Sequence, residues 1–174
     1  MSKLDASSLH KAFLQSLGDL VEAHSEIARK PLEITARYPL PKLTRVYLYN
    51  LTNPPGGRTV GEYKIQIIVP GQARGTRGHF DHSAGFTVLL AGYDSEMEVF
   101  VFWDSVMYPT FAYSVNVQVK PETVCAAYSG CVSTQKRNIR GVGWETLVAC
   151  RAEQVVEAIQ VRSRLTLERL VSLG

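Results

Sequence analysis

The middle of this chain consists of short runs of β-branched and aromatic residues, each ended by a turn signal, and that punctuation restricts it to a sheet-based fold. The runs are residues 43–51, 62–69, 86–92, 98–103, 115–119 and 146–150. Residues 86–92 and 98–103 flank the turn-forming Asp94, Ser95 and Glu96, which predicts an antiparallel hairpin. Within 62–69, Lys64 and Gln66 alternate with Ile65 and Ile67, the two-residue period of a strand with one wet face. Asn53, Pro54, Pro55, Gly56 and Gly57 form a turn that breaks the chain after the first run.

Helical spacing brackets these strands. Leu9, Phe13, Leu17, Leu20 and Ile27 recur at helical intervals, with Asp5 placed to cap the start and Pro31 to limit the end, so a first helix is expected between residues 9 and 27. His24 falls on the same apolar stripe and reads as a packing residue. Pro31, Pro39 and Pro41 then mark a connection, and Pro121 opens a short helix over 122–128. A last helix begins near Ala152 and turns Val155, Val156 and Ile159 toward a core. Beyond it, Arg162, Arg164 and Arg169 make residues 162–174 read as the start of a tail or linker. The expected fold is α+β: a mostly antiparallel, twisted, barrel-like sheet with an N-terminal and a C-terminal helix packed on it. At 174 residues and 45% hydrophobic content, residues 1–174 are expected to form a single domain.

Composition narrows the function. No apolar run approaches the roughly 18 residues of a membrane span, and the amino terminus lacks the order of a signal peptide, so a cytoplasmic protein without a membrane partner is expected. Cys125, Cys131 and Cys150 are odd in number and form no CxxC pair, which indicates neither a disulfide framework nor a zinc ribbon. No metal or cofactor is implied. The net charge of +3 is small, so its distribution matters more than its sum.

Two segments gather the basic groups. Residues 70–85, PGQARGTRGHFDHSAG, carry Arg74, Arg77, His79 and His82 against the single Asp81, on a loop long enough to suggest a functional role. Arginine's planar fork of donors suits phosphate oxygens or a guanine edge. Residues 133–143, read as a second loop, add Gln135, Lys136, Arg137, Asn138 and Arg140. Between them lies WDSVMYPTFAYS, in which Tyr108, Pro109, Phe111 and Ala112 either fold into the core or present an apolar surface.

Three segments, EYKIQIIVPGQARGTRGHFDHS, EVFVFWDSVMYPTFAYSVNVQV and STQKRNIRG followed by ETLVACR, resemble the sulfur-binding domain of type IV, modification-dependent restriction endonucleases. Those domains bind double-stranded DNA whose backbone carries a phosphorothioate. The resemblance implies a sulfur cavity built from Tyr108, Pro109 and Ala112. It also implies phosphate contacts from Arg74, Arg77 and His79, and base or backbone contacts from Gln135, Lys136, Arg137 and Arg140. It further implies that this chain binds without cutting, cleavage belonging to a nuclease domain elsewhere in the full-length protein.

Two other readings compete. Glu62, Tyr63 and Lys64 form the ExK element of metal-dependent nucleases, although no acidic residue lies between Glu33 and Glu62 to complete it, and strand alternation alone puts Glu62 and Lys64 on one face. A protein interaction module would instead dock a partner on residues 107–111.

Overall fold

The computed structural model describes residues 3–53 and 62–173. Pro54, Pro55, Gly56 and Gly57 of the expected turn lie outside them. The described chain runs through α1 (Ala6–Leu17), β1 (Val21–His24), β2 (Leu32–Ala36), β3 (Leu43–Asn50), β4 (Tyr63–Ile67), β5 (Arg77–Gly78) and β6 (Thr87–Asp94). It continues through β7 (Val99–Trp103), β8 (Phe111–Ala112), β9 (Val115–Val119), α2 (Pro121–Tyr128), β10 (Ser133–Ile139), β11 (Gly143–Arg151) and α3 (Val155–Ser172).

Seven strands make the main sheet in the order β1-β2-β3-β6-β7-β11-β10. Every neighbouring pair is antiparallel except β3 and β6, which run parallel. The fold is α+β as expected, with the predicted hairpin seen in β6 and β7. Asp94 shapes that hairpin's turn, its Oδ1 accepting from Glu96 N at 2.9 Å and Met97 N at 3.1 Å. The sheet is not closed, so the barrel-like expectation is corrected to an open sheet with β1 and β10 at its two edges. Both edges carry charged side chains at exposed positions, Glu22 on β1 and Lys136 on β10, which discourages pairing with another chain.

Burial on both faces explains why the central strands read as nearly unbroken apolar runs. Val46, Leu48, Leu89, Phe100, Phe102 and Val148 join Leu9 and Phe13 of α1 and Ile159 of α3 in one core. The alternate residues Tyr47, Tyr49, Leu90, Val101, Trp103 and Leu147 join Ile65 of β4, Val117 of β9 and Val124 of α2 in a second core on the opposite face. Burying each such aliphatic or aromatic side chain contributes roughly 1.5–3 kcal/mol. The β4–β9 ribbon lies so close to the sheet that a Cβ on Gly92 would sit 2.6 Å from Ile65 Cγ2, which leaves that position to glycine.

The amino-terminal region departs from expectation. α1 starts as predicted, Asp5 accepting from Ser8 N at 2.8 Å, but stops at Gly18, whose φ of +56° turns the chain out of the helix. Leu20 and Ile27 continue the helical interval only by coincidence. Val21–His24 is instead the edge strand β1, paired with β2 in what was read as a proline-punctuated connection. His24 is therefore exposed, not part of an apolar stripe.

The histidine that does enter the core is His10, fully buried on α1, its Nδ1 2.5 Å from Ile27 O. A carbonyl can only accept, so Nδ1 carries a proton, and that bond by itself favours the charged ring. Burial pushes its pKa below the usual histidine value. With the folded pKa below an unfolded value of about 6.5, the stabilisation is complete above that pH and is lost as pH falls beneath it. The urea midpoint should therefore drop between about pH 7.5 and about pH 5.5, and the drop should shrink in His10→Gln. An unaltered pH dependence in the variant would assign it to other groups.

At the carboxyl end, residues 162–172 are helical. They continue α3, because Arg162 and Arg169 turn inward to the buried carboxylate of Asp104.

Candidate nucleic-acid interface

The apolar segment after β7 is set by Asp104. Its Oδ1 accepts from Val106 N at 3.2 Å and starts one 3₁₀ turn, Ser105–Met107. Met107 and Phe111 point into the core, where the Phe111 ring lies 4.8 Å from Phe80 and Phe80 lies 4.7 Å from Tyr47. Residues 107–111 are thus no continuous apolar patch. Pro109, Thr110 and Ala112 remain exposed, while Tyr108 is half-buried and its hydroxyl donates to Glu145 Oε1 at 2.6 Å. Both sequence readings of this segment hold in part, since its larger aromatic closes the core and its smaller apolar groups stay on the surface.

The basic loop is fastened directly to this segment. β5 pairs with β8, placing Arg77 opposite Ala112 and Gly78 opposite Phe111. Both Nε and Nη2 of Arg77 donate to Thr110 Oγ1 at 3.0 Å. Gln72 braces the loop from within, its Oε1 accepting from Val69 N at 3.2 Å and its Nε2 donating to Thr76 O at 3.2 Å. Gly78 is required there, because a Cβ would meet Gln72 Oε1 at 2.6 Å and Phe111 Cε2 at 2.8 Å. Arg74 is exposed at the tip of a turn closed by Thr76 N to Ala73 O, and His79 is exposed beyond β5.

Two further arginines carry no motif in the sequence. Arg45 on β3 is buried and holds the far end of the loop. It donates to Asp81 O at 3.1 Å and Ser83 O at 2.8 Å, pairs with Glu33 at 3.2 Å, and lies 4.0 Å over the Phe86 ring. Hydrogen bonds from Ser83, reinforced by Arg45, keep the Asp81 carboxyl below its usual range. Arg29 is exposed and, with Arg77 and His79, lines a cleft of about 340 Å³ beside the loop. Its only sequence signal is a cation in a turn, which most proteins contain.

The second basic segment proves to be strand β10, the sheet edge, paired residue for residue with β11. Its lack of apolar alternation made it read as a loop. Strand alternation divides its candidates: Gln135 and Arg137 oppose Leu147 and Glu145 on the Tyr108 face, whereas Lys136 opposes Thr146 on the α3 face. Arg137 donates to Gln118 O at 2.7 Å and approaches the same Glu145 Oε1 that receives Tyr108, at 3.4 Å. Gln135 Oε1 is taken by Lys120 N at 2.8 Å and Thr123 Oγ1 at 2.9 Å, at the start of α2. Arg140 is exposed in the hairpin turn. Tyr108, Pro109, Ala112, Arg77 and Arg137 are therefore brought together, Arg74 and His79 border them on the loop, and Lys136 is separated by the thickness of the sheet.

Glu145 is the hub beneath this surface. Burial pushes its carboxyl pKa up, while Tyr108, Arg137 and the backbone N–H of Asp104 act in the opposite direction. Burial and the neighbouring carboxylate together raise the Tyr108 hydroxyl, so it stays a hydrogen-bond donor. Of the ExK residues, Glu62 precedes β4 and Lys64 lies within it. Among the described residues no three His, Cys, Asp or Glu side chains are grouped to hold a metal, and no helix is long and apolar enough to cross a membrane.

Residues 42–159, more than half of the chain, match the Methylase-associated X1 family. The chain belongs to that family. The match opens at β3 and closes in the first turns of α3, so every strand of the candidate site lies within it. The family name makes this a domain associated with restriction–modification systems. No curated protein and no solved structure matches the chain.

Proposed function

We propose that this Methylase-associated X1 domain reads double-stranded DNA carrying phosphorothioate linkages, and that it binds without cutting, as the targeting part of a modification-dependent restriction enzyme. The supporting observation is the β5–β8 pairing, which puts exposed apolar Ala112 and Pro109 beside the exposed cation Arg77. Sulfur in place of a non-bridging phosphate oxygen is larger, more polarisable and more weakly hydrated. A proline ring, an alanine methyl and a tyrosine ring give it dispersion contacts, whereas oxygen in the same place loses hydrogen bonds to water. An unsatisfied polar atom costs about 1–3 kcal/mol, which is roughly five-fold to over a hundred-fold in affinity.

One sulfur does not hold a duplex, so affinity comes from the cations. Each phosphate neutralised contributes about 0.9 to the slope of log affinity against log salt. Association with restriction–modification supports a DNA partner, and cleavage is assigned to a nuclease domain elsewhere in the full-length protein. A gel shift decides the reading: a phosphorothioated duplex should bind more than about ten-fold tighter than the same unmodified sequence. Equal, weak binding of both would leave only a basic surface. Magnesium-dependent cleavage of plasmid by the purified chain, lost in Glu62→Ala, would make the domain a nuclease instead.

The exposed arginines of the basic loop and its cleft carry a separate prediction. Arg74→Ala and Arg29→Ala should weaken binding to modified and plain duplexes alike, each lowering the salt slope by about one. A salt slope left unchanged in both variants would remove these arginines from the interface.

A further inference from the structure

A second surface lies across the sheet from the Tyr108 segment. Between α3 and the β10–β11 hairpin opens a cleft of about 440 Å³, within the roughly 300–1,000 Å³ of ordinary small-molecule sites. One wall is Trp144, 65% exposed although it belongs to a strand. Lys136 stands beside it and Leu165 of α3 lines the same space. At the floor, Arg169 and Arg162 converge on Asp104 Oδ2 at 2.9 Å and 3.5 Å. Three cations thus face one carboxylate.

The donors are not exhausted by that carboxylate. Arg169 Nη2 is buried and has no hydrogen-bond partner among the described residues. Arg169 lines the cleft, so a turn of its guanidinium brings that donor to a phosphate or carboxylate oxygen. An uncovered indole face beside cations suits a flat aromatic ring, and nucleobases are stacked on such platforms whatever their sequence.

We propose that this cleft binds a nucleoside phosphate, with the base stacked on Trp144 and the phosphate held by Lys136 and Arg169 Nη2. The inference goes beyond the phosphorothioate reading, because Lys136 and Trp144 face α3 and not Tyr108. A free nucleotide and an unpaired nucleotide of a DNA strand offer the same chemistry.

Tryptophan fluorescence tests it cleanly. The chain has two tryptophans and Trp103 is 1% exposed, so accessible quenching reports on Trp144. Titration of the intact chain with deoxyguanosine monophosphate or a 5′-phosphorylated oligothymidine strand should quench saturably. Either should bind at least about ten-fold tighter than deoxyguanosine or inorganic phosphate alone, and Lys136→Ala should weaken binding by about ten-fold. Equilibrium dialysis should show a comparable loss in Trp144→Leu, where the optical signal is gone. Tighter binding of the mononucleotide would name the free nucleotide as occupant, and tighter binding of the strand would name unpaired DNA. Quenching that rises linearly without saturation, or affinity unchanged in Lys136→Ala, overturns the proposal.

Discussion

Placing a carboxylate at Ala112 should abolish the preference for thio-substituted DNA, taking the modified-to-plain affinity ratio from more than about ten-fold to about one. Ala112 is exposed on a two-residue strand, so Ala112→Glu is not expected to disturb folding. Its register partner is Arg77, which means the new charge would both repel the DNA backbone and offset the Arg77 cation. Pro109→Ala separates these effects. Pro109 is exposed, and the substitution removes ring atoms available to a sulfur without introducing a charge. Binding to modified duplex should fall several-fold, since each lost contact is worth about 0.1–0.2 kcal/mol and the ring supplies many. Binding to plain duplex should hold. Equal losses on the two duplexes in Pro109→Ala would reduce this segment to ordinary packing and remove the sulfur cavity from the mechanism.

The strands buried on both faces were legible because their signal is local. A run such as VFVFW has no place except in a covered sheet, and Asp94 announces the turn beside it. Two kinds of element were not legible. The edge strand STQKRNI has no apolar period because one side of it meets solvent, so its state is decided by pairing with the neighbouring β11 and not by its own side chains. The first helix was overextended because the glycine that ends it is weaker, as a written signal, than two leucine-like residues falling in register beyond it.

Of the site, the sequence announced residue types and not their faces. Arg77 beside Ala112 follows from a two-residue pairing that no period reveals. Lys136 and Arg137 are adjacent in sequence and yet serve opposite faces, a consequence of strand alternation that appears only once the segment is known to be a strand. Arg45, Glu145 and Asp104 were invisible for a different reason. Buried charges are recognised by their partners, and those partners lie 36, 37 and 65 positions away.

Asp104→Ala should be the most damaging single change, with a loss of about 3–5 kcal/mol, because it removes the acceptor of two arginines of which Arg162 is almost wholly enclosed. Arg162 would keep the neutral acceptors Thr146 O and Thr166 Oγ1 and the longer-range attraction of Glu145. Burial already disfavours its charge, which the Asp104 carboxylate offsets. The same substitution deletes the cap on Val106 N, and so loosens the 3₁₀ turn that delivers Tyr108 to Glu145. Guanidinium denaturation would read the loss directly. Asp104→Ala combined with Arg162→Met should recover much of it, since a buried ion pair exchanged for apolar groups is close to neutral while a lone buried charge is not. A loss under about 1 kcal/mol in the single variant would mean that the pair behaves as a solvated surface contact. If the fold survives at reduced stability, binding to modified DNA should fall as well. The same carboxylate fixes the C-terminal helix and the turn that leads to Tyr108, so neither can be loosened alone.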